Sequence, residues 1–270
     1  MNNLTLKYLH RIHMKESERE NIKEVLKQRK ICVIVPTYNN DKTIIRVLDK
    51  IAEYAYDIIV VNDGSTDNTK ELLSNYKTTN IITLNHNRNK GKGKALKTGL
   101  SKAIILGFKY AITIDADGQH YPEDICRFIE KNEQYPDAII IGSRNLQQEN
   151  MPKKNTFANK FSNFWFFMQT GCRLSDTQTG FRLYPLTSIK GLNILTSRYE
   201  AELELLVFSL WSGIGIYSVP IQVYYPTKEE KVSHFHPFYD FFRISVLNIC
   251  LCIMAVVYGL PLKAIKTSRR

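Results

Sequence analysis

The 270 residues predict an α/β protein built on a mostly parallel, Rossmann-like sheet with helices on both faces. Two observations carry that expectation. From Ile31 onward, short β-branched apolar runs alternate with amphipathic stretches, and most of the runs end in a polar, turn-forming segment. The runs at 31–35, 57–61, 80–84, 110–114 and 138–141 read as buried strands, and 41–54, 67–76, 92–106 and 122–132 as the helices between them. A strand that is apolar throughout is buried on both faces, which a helix-covered parallel sheet provides.

A chain of this length can bury the core of one large domain. Its 44% hydrophobic content favours neither a disordered chain nor a polytopic membrane protein. With 37 Lys+Arg against 26 Asp+Glu, the formal net charge of +11 favours polyanionic partners: nucleic acid, anionic headgroups or phosphorylated substrates. No nucleic-acid recognition motif accompanies the charge, so nucleic acid is not expected. The five cysteines lack a C-x-x-C pair and read as reduced thiols. Residues 1–30 mix acidic and basic side chains without an apolar run of signal-peptide length, so they read as a helical extension and secretion is not indicated.

Two later stretches point towards a membrane. Residues 155–170 carry Phe157, Phe161, Phe164, Trp165, Phe166 and Phe167, in the manner of a core helix or of one floating among lipid headgroups. Residues 235–262 are the most hydrophobic of the chain and have almost the length of a span, broken by Asp240, Arg243 and Asn248. Basic residues flank this stretch on both sides, and the positive-inside rule wants both flanks in the cytoplasm. The expectation is an interfacial hairpin bent near Gly259, Leu260 and Pro261 on the cytoplasmic membrane face, with a single span as the alternative. The organisation is therefore a helical extension at 1–30, a catalytic domain at 31–232, and a membrane-associated hydrophobic helical segment with a basic tail at 233–270.

In parallel α/β sheets ligands bind beyond the carboxyl ends of the strands. Those positions hold Pro36-Thr37-Tyr38-Asn39-Asn40, Asn62-Asp63-Gly64-Ser65-Thr66-Asp67, Asp115-Ala116-Asp117-Gly118-Gln119-His120 and Gly142-Ser143-Arg144. Asp115 and Asp117, two carboxylates at one strand tip, can share a hard divalent cation, Mg²⁺ or Mn²⁺, with diphosphate oxygens, and Gln119 adds a further oxygen ligand. Asp63 is placed to accept hydrogen bonds from a base or ribose, whereas Asp67 reads as a helix N-cap. Gly91-Lys92-Gly93-Lys94 opens a helix whose amides and cation suit phosphate oxygens. His120, His234 and His236 fit no compact zinc spacing. Glu200, Glu202 and Glu204 alternate on a predicted helix, either as a solvated face or with one of them orienting a reacting group.

These segments, with Val33–Asn39 read through Pro36 and Tyr38, Asn89–Gly93 read through Lys92, and Asp176-Thr177-Gln178-Thr179-Gly180-Phe181-Arg182, resemble the family 2 glycosyltransferases of the GT-A fold. Within that family the run from Ile31 to Arg182 is most similar to the dolichyl-phosphate mannosyltransferase and polyprenyl-phosphate glycosyltransferase branch. The resemblance implies that Pro36, Tyr38 and Asp63 hold the nucleoside and that Asp115, Asp117 and Gln119 hold metal and diphosphate. It places Arg144 against donor phosphates or acceptor, Lys160 against an acceptor phosphate, and Asp176 and Arg182 along the acceptor side of the reaction centre, so that Asp117, Asp176, Arg144 and Arg182 form the catalytic set. Asn40 departs from the branch, which commonly carries Glu there. Lys228, Lys231, Ser233 and His234 stand where the branch has a basic loop with a Ser-Lys pair, and Ser233 is read as acceptor-binding.

The implied reaction is an inverting transfer from a UDP- or GDP-sugar to a membrane lipid. A polyprenyl phosphate brings an anionic oxygen and needs no strong base, while a lipid hydroxyl needs one, for which Asp176 is the candidate. The rival readings are a sugar nucleotidyltransferase, whose glycine-rich, arginine-containing loop is missing after the first strand, and a non-enzymatic membrane-surface adaptor. A homo-oligomer is among the partners considered.

Overall fold

The computed structural model describes residues 14–77, 80–144, 153–225, 237–259 and 261. Its strands are β1 (Ile31–Thr37), β2 (Ile58–Asn62), β3 (Ile81–Asn85), β4 (Tyr110–Thr113), β5 (Ile139–Arg144), β6 (Arg182–Pro185) and β7 (Ile216–Ile221). They form one sheet in the order β3-β2-β1-β4-β6-β5-β7. β1, β2, β3 and β4 run parallel, as do β5 and β7, and β6 lies antiparallel between β4 and β5. The five expected strands are present within three residues of their expected bounds. β6 and β7 were not expected: β6 is only four residues long and opens on an arginine, so no apolar run announces it. β3, expected to be buried, is a half-exposed edge strand.

Helices cover both faces. On one, α1 (Glu16–Gln28), α2 (Ile44–Ala52), α3 (Thr69–Asn75) and α5 (Ile125–Gln134) pack through Ile22, Leu26, Leu48, Ile51, Leu73 and Phe128 against Val33, Val35, Val60 and Ile112. Ile22 and Leu26 thus dock the N-terminal helix onto the catalytic body. On the other, α4 (Lys92–Ile105), α6 (Lys153–Thr170), the single turn α7 (Leu186–Ile189) and α8 (Glu200–Trp211) bury Leu96, Leu100, Phe166, Leu186 and Leu206 against Cys32, Ile34, Ile59 and Ile139.

The last described helix, α9 (Pro237–Met254), continues into a π-turn at Ala255–Gly259. Leu251 and Ala255 join the second core, and Asn248 Oδ1 accepts a hydrogen bond from Gln169 Nε2 of α6 at 2.9 Å. Arg243 Nη2 reaches Glu200 Oε1 of α8 at 2.5 Å. Among the described residues this is the one helix long and apolar enough to cross a membrane: Phe242–Gly259 has a mean hydropathy of 1.9 and is 22% buried. Its exposed side chains, Phe242, Val246, Ile249, Ile253 and Val256, recur at helical spacing, and α6 exposes Phe164, Phe167 and Met168. The aromatic stretch therefore sets Phe166 in the core and Phe164 and Phe167 at the surface. Residues 226–236 and the basic tail, including Lys228, Lys231, Ser233, His234 and His236, lie outside the described residues.

Candidate active site

The loops after β1, β2 and β4 are laced together by their own polar side chains. After β1, Asn40 turns inward, its Oδ1 accepting from Tyr38 N at 3.2 Å and from Thr37 Oγ1 at 3.1 Å. Asn39, at φ 51°, takes a left-handed conformation that asparagine tolerates, and its Oδ1 accepts from Thr66 N at 2.8 Å. Thr43 Oγ1 donates to Ala116 O at 2.7 Å and so ties the start of α2 to the Asp115–Asp117 turn. Asp67 Oδ1 accepts from Thr69 N at 3.0 Å and Oδ2 from Asp41 N at 3.1 Å, a capping role one residue ahead of the formal cap, Asn68. Pro36 is buried and Tyr38 half-buried beside this loop.

Asp63 occupies the expected strand end, but its carboxylate is committed to the chain. Oδ2 accepts from Gly91 N at 2.7 Å, and Oδ1 from Lys90 N at 3.0 Å and meets His86 Nδ1 at 2.6 Å. His86 Nε2 in turn contacts Thr98 Oγ1 at 3.0 Å. Gly91 has φ 97°, a conformation open to glycine, and it precedes α4 directly. Asp63 thus shapes the loop that delivers Lys92. Lys92 Nζ lies 2.8 Å from Asp115 Oδ1 and 3.0 Å from Glu202 Oε2. Consecutive residues, Gly91 and Lys92, therefore join the ends of β2 and β4.

Asp115 packs flat on Gly180, where a Cβ would overlap its carboxylate. Burial disfavours the Asp115 charge, but Lys92, His120 and Arg182 outweigh it and hold the carboxyl below its ordinary range. Asp117 is the reverse case: burial and then the neighbouring Asp115 charge push it up, with Gln119 N at 2.9 Å as its hydrogen-bond donor. A buried carboxylate beside another carboxylate gains from a cation more than from any other change in its surroundings. His120 Nε2 stands 3.9 Å from Asp115 Oδ2, and burial pushes the imidazole down against the pull of both aspartates. Among the described residues no three His, Cys, Asp or Glu side chains form a metal cage of their own. The hard donors available to a divalent ion are Asp115, Asp117 and the Gln119 amide, a partial set that suits an ion shared with a ligand's oxygens. The extended stretch after β7 covers the turn, since Tyr224 N donates to Gln119 O at 2.8 Å.

Beyond β5 the chain sets a second charged pair. Arg144 Nε and Nη2 donate to Asp176 Oδ2 and Oδ1 at 2.6 and 3.0 Å, a bidentate bridge. Asp176 is 1% exposed and also accepts from Asn159 Nδ2 at 2.6 Å and Gln178 N at 3.0 Å. Burial works against its charge, yet the Arg144 bond and charge hold its carboxyl below the usual range. Lys160, next to Asn159 on α6, is exposed. Arg182 does not line the cleft as expected: it is 0% exposed, and its guanidinium donates to Thr179 O, Thr177 O and Glu202 O at 2.8, 2.9 and 2.9 Å. The arrangement thus brings Asp63, Lys92, Asp115, Asp117 and Gln119 together and sets Arg144 on Asp176, with Arg182 behind them as a structural cation.

Sequence reasoning left Glu202 undecided and passed over Asn159 and His86. The glutamates at 200, 202 and 204 are not a solvated face: all three are buried, on Arg243, on Lys92, and on the amides of Leu195 and Thr196 respectively. Charges at alternate positions of an otherwise apolar helix were the available signal, because such a helix is buried all round.

The Glycosyl transferase family 2 profile matches residues 32–188. The chain belongs to that family. It is 35% identical over 215 residues to a UDP-N-acetylglucosamine–dolichyl-phosphate N-acetylglucosaminyltransferase of Methanococcus voltae, covering 72% of this chain and 86% of that protein. It is 29% identical over 244 residues to a dolichyl-phosphate beta-glucosyltransferase of Dictyostelium discoideum, covering 78% and 73%. Glucosyl-3-phosphoglycerate synthase of Mycobacterium tuberculosis, crystallised with Mn²⁺, UDP and phosphoglyceric acid, shares the GT-A fold with a TM-score of 0.60 at 16% identity, over 88% of this chain and 82% of that one. The same enzyme has also been crystallised with Mg²⁺ and UDP.

Proposed function

We propose that the protein transfers a sugar from a nucleoside-diphosphate sugar to a polyprenyl phosphate at a membrane surface. The observation that carries the choice of acceptor is the state of Asp176. A general base needs a free lone pair and a carboxyl tuned upward, whereas this carboxylate is saturated by Arg144, Asn159 and Gln178 and tuned downward. Asp176 is therefore unsuited to serve a hydroxyl acceptor as its base. An acceptor phosphate arrives already anionic and needs only to be steered, a part this reading gives to Arg144 and the exposed Lys160. The related dolichyl-phosphate enzymes favour the same class of acceptor.

On this reading Pro36 and Tyr38 flank the nucleoside, and Asp63 shapes the loop beneath it. Lys92 faces the diphosphate. Asp115, Asp117 and Gln119 would hold Mg²⁺ or Mn²⁺, which supplies Lewis-acid neutralisation of the departing nucleotide. Asp176 keeps Arg144 in one orientation, so the anionic nucleophile meets the anomeric carbon opposite the diphosphate and the configuration inverts. Positioning and charge complementarity carry most of the rate. The apolar side chains exposed on α6 and α9 support attachment to a membrane surface.

The test is to incubate purified protein with Mn²⁺, a panel of UDP- and GDP-sugars, and either a polyprenyl phosphate or the matching polyprenol. A hexose mass added to the phosphate alone is the expected result. Transfer to the polyprenol at a comparable rate would overturn the assignment of the acceptor.

A further inference from the structure

Lys92 is held by two carboxylates, and only one of them belongs to the aspartate pair. Glu202 Oε2 stands 3.0 Å from Nζ, and its side chain is buried. Burying a second carboxylate beside an ammonium that Asp115 already neutralises costs desolvation that one ion pair rarely repays. The surroundings show why this pair is rigid. Lys94 N donates to Ser197 O at 2.8 Å, and Lys97 Nζ donates to Ile194 O and Thr196 O at 2.5 and 2.6 Å. Glu204 takes the amides of Leu195 and Thr196 at 2.7 and 2.9 Å. A Cβ on Gly93 would overlap Ala201. The first turn of α4, residues 194–198 and the first turn of α8 therefore form one unit, with Lys92 and Glu202 both inside it. Asp115 belongs to a different loop.

A divalent cation at Asp115 and Asp117 competes with the Lys92 ammonium for Asp115. If Lys92 had no other anion, that pair would oppose entry of the ion. We propose that Glu202 is a positioning residue that retains Lys92 when Asp115 turns to a divalent cation, so that the ammonium stays at the diphosphate subsite and does not contest the aspartate. The inference rests on the donor-binding reading of this site.

The experiment is a calorimetric titration of Mn²⁺ into protein saturated with UDP, repeated with GDP, for wild type, E202Q, K92M and K92M/E202Q. E202Q should weaken Mn²⁺ about tenfold, the size of one coupling between neighbouring charges. In the K92M background the same substitution should change nothing, a result that a purely structural role for Glu202 would not give. Should E202Q fail to fold, E202D is read in the same two backgrounds, and a few-fold weakening that vanishes with K92M is the supporting result. Unchanged Mn²⁺ affinity in E202Q, or equal weakening in both backgrounds, overturns the inference and leaves the donor site standing. A wild type without Mn²⁺-dependent nucleotide binding overturns the donor reading, and this inference with it.

Discussion

Asp176 shows how a single side chain decides between two chemistries. Its folded-state carboxyl lies below the unfolded value of about 4, so its contribution to stability is present above that pH and is lost as pH falls through the folded value. Asp176→Asn should therefore destabilise the protein by about 3 kcal/mol near neutrality, the cost of breaking a buried pair, with the gap to wild type narrowing as pH falls below the unfolded value of about 4. Denaturant unfolding at pH 7 and at pH 3 checks this; equal stability at both pH values would mean that the Arg144 bridge is idle. Gly180 gives a second test, because a Cβ there intrudes on Asp115. Gly180→Ala should lower turnover about 100-fold through misplacement of the carboxylate, and wild-type turnover would show that the position of Asp115 is unimportant. The identity of the acidic residues was legible in their spacing; their partners were not. Asp63 and Arg182 look in the sequence like ligand contacts, yet one caps the Gly91 loop and the other is enclosed by backbone carbonyls. Hydrogen-bond direction is set by the folded backbone, and motif spacing does not encode it.

Among the elements, β1 and β2 were readable because Val33, Ile34, Ile59 and Val60 are covered on both faces, leaving continuous apolar runs. β6 escaped because its four residues include a buried arginine, whose guanidinium is satisfied by the carbonyls of Thr177, Thr179 and Glu202, a set that only the folded backbone assembles. α8 was expected as a helix, but its burial on every side was not, because its glutamates leave open whether one face meets solvent. α9 belongs to both solvent classes, with Asn248, Leu251 and Ala255 facing protein while Ile249, Ile253 and Val256 face outward. The outward face should carry membrane attachment. Ile249→Ser with Ile253→Ser should lower partitioning onto phosphatidylcholine and phosphatidylglycerol vesicles at least tenfold, since burying one such side chain contributes about 2 kcal/mol. Flotation with vesicles measures this, and undiminished flotation would move the contact elsewhere.

At the scale of the molecule, the sheet order brings the carboxyl ends of β1, β2 and β4 to one edge, and the polarity reversal at β6 brings Gly180 beneath Asp115. The first arrangement follows from alternating strands and helices and was expected. The second depends on an antiparallel insertion that no local pattern announced. Together they bring side by side two aspartates of opposite electrostatic fate, one held down by Lys92 and one pushed up by burial and by its neighbour's charge. The most direct test is turnover with donor and polyprenyl phosphate after chelation of divalent ions, in wild type and in Asp117→Asn. Chelated wild type should fall silent and recover on adding Mn²⁺, while Asp117→Asn should remain at least 100-fold slower with the same ion, in line with the loss of charge stabilisation at the leaving group. Full activity in chelator, or full rescue of Asp117→Asn by Mn²⁺, would contradict the account.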